Sequence, residues 1–173
     1  VGVLDIALKE KIGLSGFVSL GNSAQLDFSD FIEHYGKDKN TEVIMLYLES
    51  LKPGRGQRFI ETCKKVSKNK LILAIKAGKS EEGKKAAASH TAALASEQGV
   101  YEGIFKQSGV VEVGSLKEMF SLANVYTKLG RLGRRACVVT NAGGLGVLAS
   151  DACSSGGIEI PQLPENIKEK LNS

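Results

Sequence analysis

The sequence has no tryptophan and only six phenylalanines and four tyrosines. Without aromatics interleaved among its basic residues, and with no groove-reading motif, it lacks the signature of a nucleic-acid-binding protein. Its three cysteines, Cys63, Cys137 and Cys153, are odd in number and form no C-x-x-C spacing. That speaks against a disulfide framework or a zinc site and suits a reducing, cytoplasmic compartment. Long apolar runs are also missing. The longest, Val43–Leu48 and Leu71–Ile75, fall far short of the roughly 20 residues a membrane-spanning helix needs. No signal peptide is visible, and the first residue is Val1 rather than Met, so the chain reads as the middle slice of a longer polypeptide. The expectation is no nucleic acid, no membrane and no metal site.

What is present is globular in composition. Of 173 residues, 42% are hydrophobic and 24% charged, enough to bury a core without disulfide or metal staples. The net charge is a mild +4. Two lysine groups stand out: Lys64, Lys65, Lys68 and Lys70, then Lys76, Lys79, Lys84 and Lys85. Both read as solvated surface, some of it facing an anionic small molecule. The 20 glycines exceed an average share of about 7% and fall between periodic segments, where they act as punctuation.

Periodicity gives the order of elements. A helix is predicted over Val3–Lys9, a strand over Gly16–Leu20 and a helix over Asp27–Tyr35. Then come a strand buried on both faces at Val43–Leu48, a helix over Arg55–Ser67 and a second buried strand at Leu71–Lys76. After a glycine- and lysine-rich loop follow a helix at Glu97–Gln107, a strand at Val110–Val113 and a helix from Leu116 to Lys128. Ser115 and Glu118 form a capping-box signature at the start of that last helix. Strands alternating with helices of this length predict an α/β fold, flavodoxin-like, with a parallel sheet and helices on both faces. Residues 1–129 then form one domain lacking its first strand, and residues 130–135 a linker. Residues 136–173 begin a second α/β domain: strand Ala136–Thr140, turn Asn141–Gly144, helix Leu145–Ser154, strand Ile158–Ile160 and helix Pro164–Leu171.

Three places could carry chemistry. Asn141-Ala-Gly-Gly joins a predicted strand to a helix start, where free N–H groups and the helix dipole favour an anion. A tight turn with no ligand explains the same residues. So does a dinucleotide site built on Gly144-x-Gly146-x-x-Ala149 with Glu159 as the ribose-binding acid. His90 lies among small residues after a buried strand, on the ligand side of an open α/β sheet, and a histidine can carry a group covalently; an exposed structural histidine is the alternative. His34, beside Glu33 and Lys37 on a polar helix face, reads as solvated. Glu49 follows an apolar strand, well placed to orient a histidine on a neighbouring loop; an acid ahead of a helix explains it equally.

Taken together, FVSLGN (Phe17–Asn22), MLYLES (Met45–Ser50), AIKAG (Ala74–Gly78), AAASHTAALAS (Ala86–Ser96) and VVTNAGGLGVLASDA (Val138–Ala152) resemble the ADP-forming acyl-CoA synthetases. These are typified by acetate–CoA ligase and are relatives of succinyl-CoA synthetase. The resemblance implies interconversion of acyl-CoA, phosphate and ADP with a carboxylic acid, CoA and ATP through a phosphohistidine. By position, His90 matches the phosphorylated nucleophile and Glu49 the carboxylate that orients it. Asn141, Gly143 and Gly144 match a phosphate-binding helix start. Ala92 and Ser96 stand where the family commonly has glycine, which stiffens the histidine loop.

The resemblance further implies CoA, ATP/ADP and Mg2+ in the complete enzyme, none bound tightly by this slice alone. It implies a small-molecule acyl substrate, a CoA-binding domain, an ATP-grasp domain or subunit, and a hetero- or homo-oligomer. An S-x-S-G phosphate turn is expected ahead of Val1. Other readings are a regulatory module of a protein lysine acetyltransferase, which would generally lack the histidine, a nicotinamide dinucleotide-binding fragment, and an interaction scaffold.

Overall fold

The computed structural model describes residues 2–23, 25–78 and 98–171, in two compact units, Val1–Gly130 and Arg131–Ser173. In the first unit the two apolar runs become β1 (Val43–Leu48) and β2 (Leu71–Lys76), with the bounds the sequence predicts. They pair in parallel from Val43 opposite Leu71 to Leu48 opposite Lys76. A short β3 (Val111–Glu112) joins β2 in parallel, giving the order β1-β2-β3. Parallel neighbours need crossover connections. After α1 (Gly2–Lys9) and α2 (Phe28–Lys37), these are supplied by α3 (Gly56–Val66) and α4 (Gln98–Ser108), before α5 (Leu116–Leu129) closes the unit.

The alternation of side chains along each strand decides what each face buries. Ile44, Leu46, Leu48, Ile72 and Ala74 pack with Ile32 of α2, Phe59 and Cys63 of α3, and Tyr101 and Phe105 of α4. On the other face, Leu73, Ile75 and Val113 pack with Met119 and Ala123 of α5. Helices therefore cover both faces, as expected. β1 is less enclosed than its sequence suggests, however. Val43 and Met45 pack against the α5 cluster, whereas Tyr47 is 56% exposed. Burial pushes the Cys63 thiol up to about 12, so this cysteine packs as a hydrophobe and forms little thiolate.

Gly16–Leu20 is not a strand: it joins no ladder among the described residues, and Phe17 and Val18 are exposed. Alternation marks a segment able to pair, but a strand also needs a neighbour with free N–H and C=O groups. The segment is held otherwise. Ser15 and Thr41 share a hydroxyl hydrogen bond of 2.7 Å, and a side chain at Gly16 would collide with the Tyr35 hydroxyl.

Helix ends are fixed by polar side chains. Asp27 caps α2 by accepting the Ser29 N–H at 2.8 Å, while Asp30 accepts the Asp27 N–H at 2.8 Å, a reciprocal capping box. Arg58 of α3 donates to Asp30 at 2.5 Å. The Asp27 N–H first, and Arg58 second, hold the Asp30 carboxyl below its ordinary value of 3.8. A depressed carboxylate stabilises fully above its unfolded pKa, and the contribution disappears as pH falls through the folded one. Amide-exchange protection in the first turn of α2, relative to the intrinsic rate at each pH, should therefore fall below about pH 4, and Asp30→Asn should flatten that dependence. A wild-type acid profile in the variant would refute this assignment.

At the other end of α2, the Lys70 ammonium donates to the carbonyls of Tyr35 at 2.9 Å, Thr41 at 2.6 Å, and Asp38. A lysine expected on the solvated surface is thus half-buried, satisfying carbonyls around the helix C-terminus. At α5 Ser115 is the N-cap, as the sequence predicts, and only the reciprocal contact moves by one residue. Ser115 accepts the Glu118 N–H at 3.2 Å, but the Glu118 carboxylate takes the Gly114 N–H at 2.8 Å.

In the second unit, α6 (Gly143–Ser155) and α7 (Glu165–Leu171) have no buried residues. The strands expected at Ala136–Thr140 and Ile158–Ile160 reduce to one parallel bridge between Arg135 and Glu159. Two short segments without a third give no continuous sheet, because an isolated strand pair is marginal. Among the described residues no helix is long and apolar enough to cross a membrane.

Candidate functional site

Ligands of open parallel sheets bind beyond the carboxyl ends of the strands. β1 and β2 reach that edge together at Leu48 and Lys76, and the Ala77 N–H extends the pairing by donating to the Leu48 carbonyl at 2.8 Å. Glu49 is the first residue past β1 and is half-buried. Two residues on, the Leu51 N–H donates to the Tyr101 hydroxyl at 2.7 Å. Tyr101 lies in α4 and is 2% exposed. Over its ring, 4.8 Å from the centroid, stands the Lys76 ammonium, which also donates to the Ala77 carbonyl at 2.5 Å.

Lys76 is only 6% exposed, so the expectation that placed it on the solvated surface is corrected. Its place at the end of the apolar run LILAIK was the available signal: a lysine there lies on a face already committed to the core. Nothing in the local pattern around Tyr101 marks it, since its role comes from contacts distant in sequence. β2 is followed by Gly78 at φ +71°, a left-handed conformation that favours glycine. His90, with Lys79, Lys84, Lys85, Ala92 and Ser96, lies outside the described residues. His34 is exposed, edge-on to Tyr35 at 5.1 Å, on the face carrying the Glu33–Lys37 ion pair. It is a solvated histidine.

Asn141, Gly143 and Gly144 belong to the second unit. Asn141 is exposed, Ala142 is the N-cap of α6, and no side chain caps that helix start. The Ala142 N–H donates to the Thr140 hydroxyl at 3.0 Å. The helix begins two residues before the predicted Leu145, so both glycines sit in its first turn. No atom lies within 4 Å of where a Cβ on either would be, leaving the backbone N–H groups approachable. Gly146 differs, because a Cβ there would meet the Thr140 methyl at 3.2 Å, a packing requirement. Gly144, Gly146 and Ala149 all lie inside α6, whereas a dinucleotide fingerprint opens on the turn before the helix. Glu159 accepts the Ala136 N–H through its backbone carbonyl at 2.9 Å.

The structure thus brings Glu49 to the carboxyl edge alongside Lys76 and Tyr101, and presents Asn141, Gly143 and Gly144 at a helix start in the other unit. The first arrangement can hold a carboxylate where it would fix a partner's tautomer. The second can receive an anion.

Residues 1–126 match the model of the succinyl-CoA ligase like flavodoxin domain. The chain is 45% identical, over 99% of its length and 37% of the relative's, to the alpha subunit of acetate–CoA ligase [ADP-forming] II from Pyrococcus furiosus. It is 38% identical to acetate–CoA ligase [ADP-forming] from Methanocaldococcus jannaschii, covering 99% of this chain and 24% of that one. A solved structure of a Ca. Korarchaeum cryptofilum dinucleotide-forming acetyl-coenzyme A synthetase 1, in complex with phosphate and ADP, superposes with a TM-score of 0.88 at 40% identity. The match covers 99% of this chain and 37% of that one. The chain therefore spans little more than a third, or less, of the length of these relatives.

Proposed function

Since the chain belongs to the family of the succinyl-CoA ligase like flavodoxin domain, we propose that it is part of an ADP-forming acyl-CoA synthetase, an acid–thiol ligase. Such an enzyme interconverts acyl-CoA, phosphate and ADP with a carboxylic acid, CoA and ATP. The observation that carries this reading is the 45% identity, across 99% of the chain, to an ADP-forming acetate–CoA ligase alpha subunit.

In the ATP-forming direction, a phosphate oxygen attacks the thioester carbonyl, the CoA thiolate leaves and an acyl phosphate forms. A ring nitrogen of His90 then attacks phosphorus, and the carboxylate leaves. The terminal oxygen of ADP finally takes the phosphoryl group from His90. Glu49 accepts the N–H of the other ring nitrogen, which fixes the tautomer and offsets the positive charge that builds on the ring. Asn141 and the N–H groups of Gly143 and Gly144 hold phosphate oxygens at the start of α6.

Further segments supply the CoA-binding domain and an ATP-grasp domain or subunit, in a hetero- or homo-oligomer working in the cytoplasm. Mg2+ would accompany the nucleotide. The dinucleotide alternative loses its support with the fingerprint inside α6, and the relatives described above are ligases.

The test is to incubate the full-length parent, with its ATP-grasp partner if separate, with Mg-ATP. Mass spectrometry under non-acidic conditions then looks for phosphate on His90, with His90→Ala as control. Label at His90 that is discharged by CoA plus an organic acid is expected. A protein that binds nucleotide yet stays unlabelled would overturn the reading.

A further inference from the structure

We propose that Tyr101 is a positioning residue for Glu49, acting through the Leu51 N–H, with the buried Lys76 ammonium locking its ring to the end of β2. The inference rests on the role of Glu49 in the proposed phosphoryl transfer.

Glu49 and Ser50 have left the β1–β2 ladder, and α3 begins only at Gly56. A carboxylate on such a segment would wander unless its backbone were held on both sides. On one side, the Leu48 carbonyl accepts the Ala77 N–H at 2.8 Å. On the other, the Leu51 N–H donates to the Tyr101 hydroxyl at 2.7 Å, a bond between residues 50 apart in sequence. These two attachments are joined behind the dipeptide. The Ala77 carbonyl accepts from the Lys76 ammonium, which stands over the Tyr101 ring. The chain of contacts runs from Leu48 through Ala77, Lys76 and Tyr101 to Leu51, closing around Glu49-Ser50.

Each member is suited to its place. Tyr101 is buried and meets Phe105 edge-on at 6.0 Å, so its hydroxyl is a fixed acceptor. A desolvated ammonium over an aromatic face is attracted to it more strongly than an exposed one. Deep placement at the end of β2 lets Lys76 grip both the ring and the strand end. The carboxyl edge thereby gains a rigid mount for a residue that lies outside regular structure.

The test uses the full-length parent. Tyr101→Phe removes one oxygen and keeps the ring, so the fold should persist with little change in melting temperature. Leu51 amide exchange should accelerate about tenfold, in line with the loss of one hydrogen bond. Formation of the phosphoryl-enzyme should slow about tenfold as the carboxylate drifts, with KM for ADP and CoA unchanged. In a Glu49→Gln background the same substitution should cost almost nothing further, because its effect passes through Glu49. Lys76→Arg should restore part of what Lys76→Met loses.

An equal slowing in both backgrounds, or wild-type Leu51 exchange in Tyr101→Phe, would overturn the proposal. A wild-type parent that never acquires phosphate from ATP would instead fail at the earlier step, taking the functional role of Tyr101 with it while Leu51 exchange still reports the hydrogen bond.

Discussion

A Glu49→Gln variant of the full-length protein is expected to form phosphoryl-enzyme about a thousandfold more slowly than wild type, with its melting temperature nearly unchanged. The size follows from what an orienting carboxylate does for an imidazole. It selects the tautomer whose free nitrogen faces the electrophile, and it stabilises the ring as that nitrogen becomes bonded and positive. Exchanging such a carboxylate for its amide keeps the shape but permits the wrong tautomer, at a cost of about 10⁴-fold in the best-characterised triad. A somewhat smaller loss is expected here because Glu49 is half-buried, and water can replace part of its interaction. Glu49→Asp should fall between, retaining charge but losing reach. A Glu49→Gln enzyme within about twofold of wild type would remove Glu49 from the mechanism and leave it an acid ahead of α3.

The sequence was most legible where local chemistry and tertiary environment agree. VIMLYL and LILAIK are continuous apolar runs, and β1 and β2 have their predicted ends. Ser115 is a capping residue in both the sequence and the structure, whereas Asp27, read as the first residue of its helix, is the N-cap of α2. Agreement broke down where pairing depends on a neighbour. Gly16–Leu20, Ala136–Thr140 and Ile158–Ile160 all have strand-like composition, yet none forms a ladder among the described residues. The start of α6 was misjudged by two residues because Gly143 and Gly144 read as a turn, although a glycine costs only about 1 kcal/mol in a helix.

The candidate site was half legible. Glu49 could be picked from its place after an apolar strand, and Asn141, Gly143 and Gly144 from the glycine-rich helix start. Lys70 and Lys76 were hidden because lysine is usually exposed, and only the fold reveals which carbonyls their ammonium groups reach. Tyr101 had no local signal at all. Its hydroxyl matters because α4 returns to the edge where β1 ends.

Phe59→Ala should separate the stability of this edge from its chemistry. Phe59 is 0% exposed, in the cluster that joins α2, α3 and α4 to β1 and β2. Truncating a buried phenylalanine costs about 3–5 kcal/mol, more where the surroundings cannot collapse into the space. Here the strands are held in a ladder and Gly36 already packs tightly against Val66, so relaxation is restricted and the upper half of that range is expected. The measurement is the urea dependence of amide exchange at Leu46 and Leu73 in the full-length protein. Phe59→Leu, which refills much of the volume, should recover most of the loss. At temperatures where Phe59→Ala remains folded, its rate of phosphoryl-enzyme formation should stay within a few-fold of wild type, unlike Glu49→Gln. A loss of less than about 1 kcal/mol would mean that the α2–α3–α4 layer is more pliable than its packing indicates. A thousandfold slower reaction in a folded Phe59→Ala enzyme would mean that the carboxyl edge depends on the whole layer and not on the Lys76–Tyr101–Leu51 mount.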